Sequence, residues 1–287
     1  MKAPFDVRAA LQGALQNVLL GDESPRSMDH NNRKDEGLFG PGSVTWLVHQ
    51  DAAMLVGGIR ALFLQTMHPR AMAGVAQHSA YKDDPFGRLR RTSRYVGAVS
   101  FAPEAEAKAA IAGVRRAHRL VKGTTSTGET YAANDPHLLA WVHHALIDSF
   151  LVAYQQYGKR RLTPAEADRY VCEQSVLAEM IGAEPDGPKS VSELNAWFAN
   201  IRPELQGTRE ARDAAFWLLT APMGPKLAVP YAVLVGAAVG SLPRFVRRAL
   251  WIPSSAVLQN GLVQPAAKVV TGTLRWAMTA PVEPQAK

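Results

Sequence analysis

The sequence predicts an all-α fold in a single domain, and three observations support this. Apolar residues recur at spacings of three and four along most of the chain, which places them on one face of a helix. Prolines and glycines stand mostly at the ends of these segments, where helices begin and end. Alternating apolar and polar runs are nearly absent, and no biased linker divides the chain.

The composition narrows the class of protein further. The chain has 287 residues, of which 47% are apolar, and a formal net charge of +7. The single cysteine, Cys172, excludes a disulfide framework and any zinc or iron–sulfur site built on several cysteines. The basic residues are dispersed and match no nucleic-acid-binding motif, so we expect no nucleic-acid partner. The N-terminus makes a poor signal peptide, which favours a cytoplasmic protein.

The first elements follow in chain order. Residues 1–40 are predicted to be a peripheral segment, because turn-forming and polar residues dominate "GDESPRSMDHNNRKDEGLFGPGS". The stretch "DAAMLVGGIRALFLQTM" predicts a helix capped by Asp51 and apolar nearly all round, which indicates burial. Within it, Gly57 and Gly58 weaken the helix intrinsically and are expected to allow close packing. Pro69 begins a second, short helix.

Capped helices continue through the middle of the chain. Asp84 and Asp135 each precede a proline that opens a helix, and the second of these helices is predicted to end at Gly158. Between them, "PEAEAKAAIAGVRRAHRLV" is amphipathic, with an acidic start and a basic end that suit the helix dipole. A further capped helix is predicted over 163–182, and two more in "SVSELNAWFANIRPEL" and "TREARDAAFWLLTAP".

The longest apolar run, "LAVPYAVLVGAAVGSL", contains Pro230 and is shorter than the roughly 20 residues of a spanning helix. We interpret it as a buried core helix. Because the basic, amphipathic "PRFVRRALW" follows, a peripheral membrane contact through residues 227–251 is the alternative. The main helical domain is predicted over 41–260, with a C-terminal extension over 261–287.

Two histidines lie in the apolar run "WVHHALIDSF". At 3.6 residues per turn, His143 shares a face with Leu139 and Ile147, while His144 lies one turn before Asp148. His144 therefore has a carboxylate partner within its helix. His143 has none, and a buried imidazole needs a partner. That partner is either a backbone carbonyl of another helix or the iron of a flat apolar cofactor such as haem, with Leu139 and Ile147 lining its pocket.

A basic cluster supplies a second candidate site. In "DPFGRLRRTSRY", Arg88 and either Arg91 or Thr92 lie along one helical face, and Arg94 lies on another. Fixed positive charges bind haem propionates or stabilise reduced oxygen species, and a threonine hydroxyl bonds bound dioxygen. The competing interpretation is an ordinary solvated basic face.

Two further histidines flank the helix that Pro69 opens. His68 stands at the junction, where it either ties down the turn or binds a ligand, and His78 ends the helix. The Glu-x-x-His pairs of a di-iron bundle, the serine elbow of a hydrolase and the glycine loops of nucleotide-binding proteins are all missing from the sequence.

Three motifs in this order resemble a known family. "GGIRALFLQTMHPRAMAGVAQHS", "DPFGRLRRTSRY" and "ANDPHLLAWVHHALIDSF" are similar to the bacterial family that shares its catalytic domain with rubber oxygenase, the latex-clearing protein, and with a fungal endoplasmic-reticulum-bound oxygenase of mycophenolic acid biosynthesis. The resemblance covers roughly residues 40–255. It implies a globin-like helical core that binds haem b.

The resemblance also implies roles for individual residues. The histidine of its "WVH" motif, the proximal iron ligand, falls on His143, and its distal Arg-x-x-Lys-Thr pattern falls on Arg88, Arg91 and Thr92. Arg91 replaces the lysine, so a mechanism in which that residue loses a proton is not expected here. His78 lies near the position of the family's distal glutamate and is a candidate only.

The resulting prediction is a haem b-dependent oxygenase that acts with dioxygen on a small apolar, unsaturated metabolite. Catalytic roles are predicted for Arg88, Arg91, Thr92 and His78. His143 is predicted to bind the iron, and four residues are predicted to contact the haem: Leu139, Ile147, Arg88 and Arg94. The alternatives are a non-catalytic haem or lipid carrier on the same fold, and a cofactor-free hydrolase or isomerase that uses a His144–Asp148 pair.

Overall fold

A computed structural model of the chain describes residues 6, 8–9, 11–13, 35–253 and 255–278, and nearly all of its secondary structure is helical. The α-helices are α1 (Val44–His49), α2 (Met54–Gln65), α3 (Pro69–His78), α4 (Pro85–Phe101), α5 (Glu104–His118), α6 (Pro136–Tyr157), α7 (Pro164–Ile181), α8 (Val191–Ile201), α9 (Arg209–Thr220), α10 (Pro225–Ser241), α11 (Arg244–Ala249), α12 (Ala256–Leu258) and α13 (Gln264–Met278). Strands β1 (Lys122–Thr124) and β2 (Thr130–Ala132) follow α5, a 3₁₀ turn (Arg202–Glu204) follows α8, and a π turn (Gln259–Val263) precedes α13. The prediction of an all-α single domain is confirmed.

Helix α6 is the centre of the bundle. It spans 22 residues and is buried along most of its length. Its main neighbour is α2, and α10 packs on α2 in turn. A Cβ added to Gly57 of α2 would lie 2.8 Å from Phe150 Cδ1 of α6, closer than atoms pack, whereas Gly58 has open space. The predicted close packing is therefore correct for Gly57 alone.

The predicted helix ends agree with the structure where a side chain defines them. Asp84 and Asp135 each accept a backbone N–H from the first turn of α4 and α6. Thr163 and Glu166 form a reciprocal capping box at the start of α7, and Gly182 ends that helix in the left-handed region at φ 89°. Local capping chemistry is strong enough to be visible in the sequence.

Asp51 has a larger role than the predicted cap of α2. The helix begins at Met54, and Asp51 Oδ1 accepts from the backbone N–H of Ala53 at 2.8 Å. Both carboxylate oxygens also bind the guanidinium of Arg275 in α13, each at 2.7 Å. This bidentate pair fastens the C-terminal helix to the start of the core.

The antiparallel hairpin of β1 and β2 was not predicted. Its register pairs Lys122 with Ala132 and Gly123 with Tyr131, and its turn contains Gly128 at φ 90°. Strands of three residues are too short to show an alternating pattern, so the sequence carries little signal for them.

Helix α10 is buried along its second half, as expected for a core helix, while Val229 near its start is 71% exposed. Trp251, at the end of the segment predicted to contact membranes, is 73% exposed. Within the described residues, no helix combines the length and the apolar character needed to cross a bilayer. The contact through 227–251 stays a prediction.

The division at residues 40 and 260 also stays a prediction. Most of the segment 1–40, and residues 279–287, lie outside the described part of the chain. The described part of the predicted extension packs against the bundle, because α13 contacts α10 and α6 and buries Ala267 completely.

Candidate functional site

His143 is buried in α6, as its helical face predicts, and is 5% exposed. Its Nε2 lies 2.9 Å from the main-chain carbonyl oxygen of Gln174 in α7, to which it donates a hydrogen bond in the tautomer protonated at Nε2. The Gln174 side chain is itself anchored by donating to Thr45 Oγ1 at 3.0 Å. Burial lowers the pKa of His143 to about 4, so the ring is neutral at neutral pH. The ring thus has the partner that the sequence left open, a backbone carbonyl.

Leu139 and Ile147, predicted to line a haem pocket, pack in different places. Ile147 lies in the apolar cluster between α6, α7 and α1 and is 1% exposed. Leu139 lines a cavity of about 110 Å³, and next to it a larger open groove of about 470 Å³ is strongly basic. The basic residues of that groove are Lys108, Arg115, Arg116 and Arg119. The smaller cavity is well below the roughly 300 Å³ at which small-molecule sites begin.

The structure does not bring the predicted distal residues to His143. Arg88 donates to Ser79 Oγ at 3.0 Å, and Arg91 Nη1, on a side chain that is 62% exposed, lies 3.7 Å from Asp84 Oδ2. Thr92, Arg94 and His78 are exposed.

The part of α4 that approaches His143 is its other end. Ser100 Oγ lies 2.6 Å from Nδ1 of His49, whose pKa is lowered first by burial and then by the charge of His143. Arg88 is twelve residues before Ser100, which is about 18 Å along a helix. The basic cluster and His143 therefore lie at different levels of the bundle.

The predicted His144–Asp148 pair is wrong. Asp148 Oδ2 instead accepts from Arg60 Nη1 at 2.7 Å, and Arg60 is a buried cation that requires a carboxylate. His144 Nδ1 has no hydrogen-bond partner among the described residues, and its ring lies edge-on to Trp197 with centroids 4.4 Å apart.

A different group of titratable side chains does converge. His68 precedes α3, His137 lies in the first turn of α6, and Glu204 ends the 3₁₀ turn after α8. One ligand-capable atom of each lies within 4.8 Å of the others. The backbone N–H of Gln206 donates to the Met67 carbonyl at 2.7 Å, which holds the Glu204 segment against His68.

Within this triad, which we call the His68–His137–Glu204 cluster, the two rings differ in charge preference. Burial lowers the pKa of His68, the positive charge of Arg70 adds to this, and Glu204 offsets part of it. Burial also opposes protonation of His137, but hydrogen bonds to Glu204 and Glu184 outweigh burial and raise its pKa. The cluster therefore combines the His68 ring, which burial keeps neutral, with the His137 ring, whose protonated form two carboxylates stabilise.

Comparison with known families shows which family the chain belongs to. The model of the family described as "ER-bound oxygenase mpaB/B′/Rubber oxygenase, catalytic domain" matches residues 46–276. The chain belongs to this family. Comparisons with curated proteins and with solved structures yield no match. As a member of an oxygenase family, the chain is expected to hold a metal or haem cofactor.

Haem is the cofactor that the resemblance to rubber oxygenase implies, with His143 as its ligand. The neutral imidazole suits iron. The geometry does not, since Nε2 meets the Gln174 carbonyl, and the cavity lined by Leu139, one helical turn away, is only about 110 Å³. In this conformation the residues around His143 do not fit a haem.

Sequence patterns mark His68 as a candidate but give no signal for His137 or Glu204. His137 lies in the quoted "NDPH" segment, although nothing there marks it as different from an ordinary first-turn residue. It is 67 residues from Glu204, so no local spacing could reveal that the two side chains meet. The proline before Glu204 predicts a break in the helix but not the position of its carboxylate.

Proposed function

We propose that this chain is an oxygenase that acts with dioxygen on a small apolar, unsaturated metabolite. The observation that carries the proposal is the family match, which covers residues 46–276 and thus nearly the whole helical bundle. The family description names rubber oxygenase, and rubber is an unsaturated hydrocarbon. That supports an apolar substrate for this chain as well.

Haem b bound through His143 is the cofactor proposed from the resemblance, and it has a definite structural requirement. The ring must exchange the Gln174 carbonyl for iron, and the packing of α6 against α7 must open. The catalytic roles proposed for Arg88, Arg91, Thr92 and His78 depend on the same rearrangement, as does the haem contact proposed for Arg94. Without it, the arginines remain a basic face of α4.

The deciding experiment is an absorption spectrum of the full chain, expressed with a haem precursor and then reconstituted with haem. The variants are His143→Ala and, as a matched control in the same helix, His144→Ala. A Soret band that is lost or shifted in His143→Ala only would support haem at His143. A spectrum without any Soret band in the wild-type protein would overturn the haem proposal.

Oxygen consumption tests the activity separately from the cofactor. Protein loaded with haem or with Fe²⁺ is assayed in an oxygen electrode against unsaturated fatty acids, terpenoids and aromatic compounds. Substrate-dependent uptake supports an oxygenase. Bound cofactor with no uptake for any class would favour the alternative of a non-catalytic haem or lipid carrier. The hydrolase alternative loses its support, because Asp148 is committed to Arg60.

A further inference from the structure

His68 is the least explained polar side chain of the His68–His137–Glu204 cluster. It is 2% exposed, and neither of its ring nitrogens makes a hydrogen bond to any residue that the structure describes. Its Nε2 lies 3.4 Å from Glu204 Oε2, close enough for charge attraction but too poorly aligned for a hydrogen bond. A buried imidazole without a hydrogen bond is costly, so its position requires another partner.

An ion pair between His137 and Glu204 accounts for only part of the cluster. His137 Nε2 lies 2.9 Å from Glu204 Oε2, as expected for such a pair. The pair leaves both nitrogens of His68 without a hydrogen bond among the described residues. A single group bound between the three side chains would satisfy Nε2 of His68 and use the Glu204 oxygen that both Nε2 atoms face, while Nδ1 of His68 would stay without a hydrogen bond.

We infer that His68, His137 and Glu204 bind a divalent first-row transition metal ion, with Nε2 of each histidine and one Glu204 oxygen as ligands. Nitrogen and oxygen ligands at about 2.0–2.2 Å from one ion lie roughly 3.0–3.5 Å apart from each other. Of the distances from Glu204 Oε2 to the two Nε2 atoms, 3.4 Å lies within this range and 2.9 Å lies just below it. One ligand atom of each of the three residues lies within 4.8 Å of the others, so the side chains must approach further to complete the site.

The other nitrogen of His137 supports this assignment. Its Nδ1 lies 2.9 Å from Glu184 Oε1, so the ring bridges two carboxylates. A histidine that binds metal through one nitrogen commonly donates the other N–H to a carboxylate, which fixes the ring and raises its basicity. Glu184 is thus a positioning residue, and binding of the metal at Nε2 would displace the proton shared with Glu204.

Charge and access also suit a metal ion. Glu204 and His137 are 41% and 28% exposed, so the outer side of the cluster is open to solvent ligands or substrate. Arg70, whose positive charge acts on His68, is paired with Asp135 at 3.2 Å. Two histidines and one carboxylate with open positions are the ligand set of non-haem Fe(II) oxygenases, and they also bind zinc. The choice of iron as the bound metal rests on the proposed oxygenase function. The metal site itself rests only on the geometry of the three side chains.

The test is titration of the metal-free full chain with Co²⁺, followed by visible absorption, and with Zn²⁺, followed by calorimetry. We expect one equivalent to bind to the wild-type protein. Glu204→Gln and His68→Gln should each weaken binding by more than about 100-fold, beyond the range of changes in outer-shell partners. Glu184→Gln should weaken it by about 10- to 100-fold with a similar Co²⁺ spectrum.

The matched controls are His118→Gln, at a half-buried histidine outside the cluster, and Glu193→Gln, at an exposed glutamate. Both should bind Co²⁺ like the wild type. Glu204 is partly exposed, so its variant is expected to fold, and circular dichroism checks this for each protein. No binding to the wild type, or wild-type affinity in either Glu204→Gln or His68→Gln, would overturn the site. Because the readout is binding, failure here leaves the oxygenase proposal intact, and a protein without turnover leaves the site intact.

Discussion

His143 and His68 are both buried imidazoles, but their ring nitrogens meet different surroundings. His143 Nε2 meets the Gln174 carbonyl, whereas neither nitrogen of His68 has a hydrogen bond within the described structure. Removing His143 from its partner would break the one hydrogen bond that its buried Nε2 makes to the described part of the protein. Binding a ligand at His68 would instead remove an existing cost. At the scale of single residues, His68 is therefore the better prepared ligand.

The pH dependence of stability tests the environment of His143. Burial lowers its pKa in the folded protein from 6.5 to about 4, so between these values the unfolded chain binds the proton more strongly. Stability should therefore fall as the pH drops through this window, by at most about 1.4 kcal/mol per pH unit for this one histidine. Urea unfolding at a series of pH values measures the slope.

His143→Gln removes the titration but keeps a side chain that donates to the carbonyl, so its slope should be shallower. His78→Gln, at an exposed histidine, is the control and should keep the wild-type slope. An unchanged slope in His143→Gln would show that other groups cause the acid sensitivity.

Residue-level prediction from sequence succeeded where the signal was local. Helical periodicity was enough to predict that His143 is buried, because positions three and four apart share a face. It could not name Gln174 as the partner, which lies 31 residues away on another helix. The cluster of His68, His137 and Glu204 was invisible for the same reason, since it forms only when three separate segments pack.

At the scale of elements, helix α2 owes its position to Gly57. Alanine at this position would place a methyl group 2.8 Å from Phe150 Cδ1 and 3.1 Å from Phe150 Cα and the Ser149 carbonyl oxygen. The backbone of α6 cannot yield as a flexible side chain does. We expect Gly57→Ala to lower the free energy of unfolding by about 1–3 kcal/mol despite its better helix propensity.

Gly58→Ala is the matched control, because a Cβ there meets nothing within 4 Å. It should leave the protein equally stable or stabilise it by up to about 1 kcal/mol through helix propensity. Chemical denaturation of both variants measures the difference. Equal effects at the two positions would contradict the close approach of α2 and α6.

Helices whose first turns are capped by side chains were predicted well, whereas elements without such caps were not. Asp84, Asp135 and the Thr163 capping box mark their helices because each satisfies backbone N–H groups within a few residues. The hairpin of β1 and β2 instead depends on pairing between strands of three residues, and it packs against α3. Such short strands gain their stability from tertiary contacts, which a single sequence does not display.

At the scale of the whole molecule, the pair of Asp51 and Arg275 joins the beginning of the core to its last helix. Asp51 is 7% exposed and Arg275 is partly buried. Arg275→Met should lower the free energy of unfolding by about 2–3 kcal/mol, less than the roughly 3–5 kcal/mol for a fully buried pair. The reason is that Asp51 keeps its hydrogen bonds from the backbone of Ala53 and Lys159.

Arg160→Met is the control for this variant. Arg160 also pairs with a carboxylate, that of Glu166, but its side chain is 49% exposed. Solvent screens such a pair, so the stability should stay close to that of the wild type. Thermal unfolding of both variants checks the contrast, and an Arg275→Met protein as stable as Arg160→Met would refute the role of the Asp51 pair.

The same pair has a consequence for folding during synthesis on the ribosome. Asp51 and Arg275 are 224 residues apart. At about 5–20 residues per second, their synthesis is separated by roughly 10–45 seconds. Throughout this interval the Asp51 carboxylate lacks its guanidinium and has only the backbone hydrogen bonds from Ala53 and Lys159. The bundle can therefore reach its full stability only after the final segment has been synthesised.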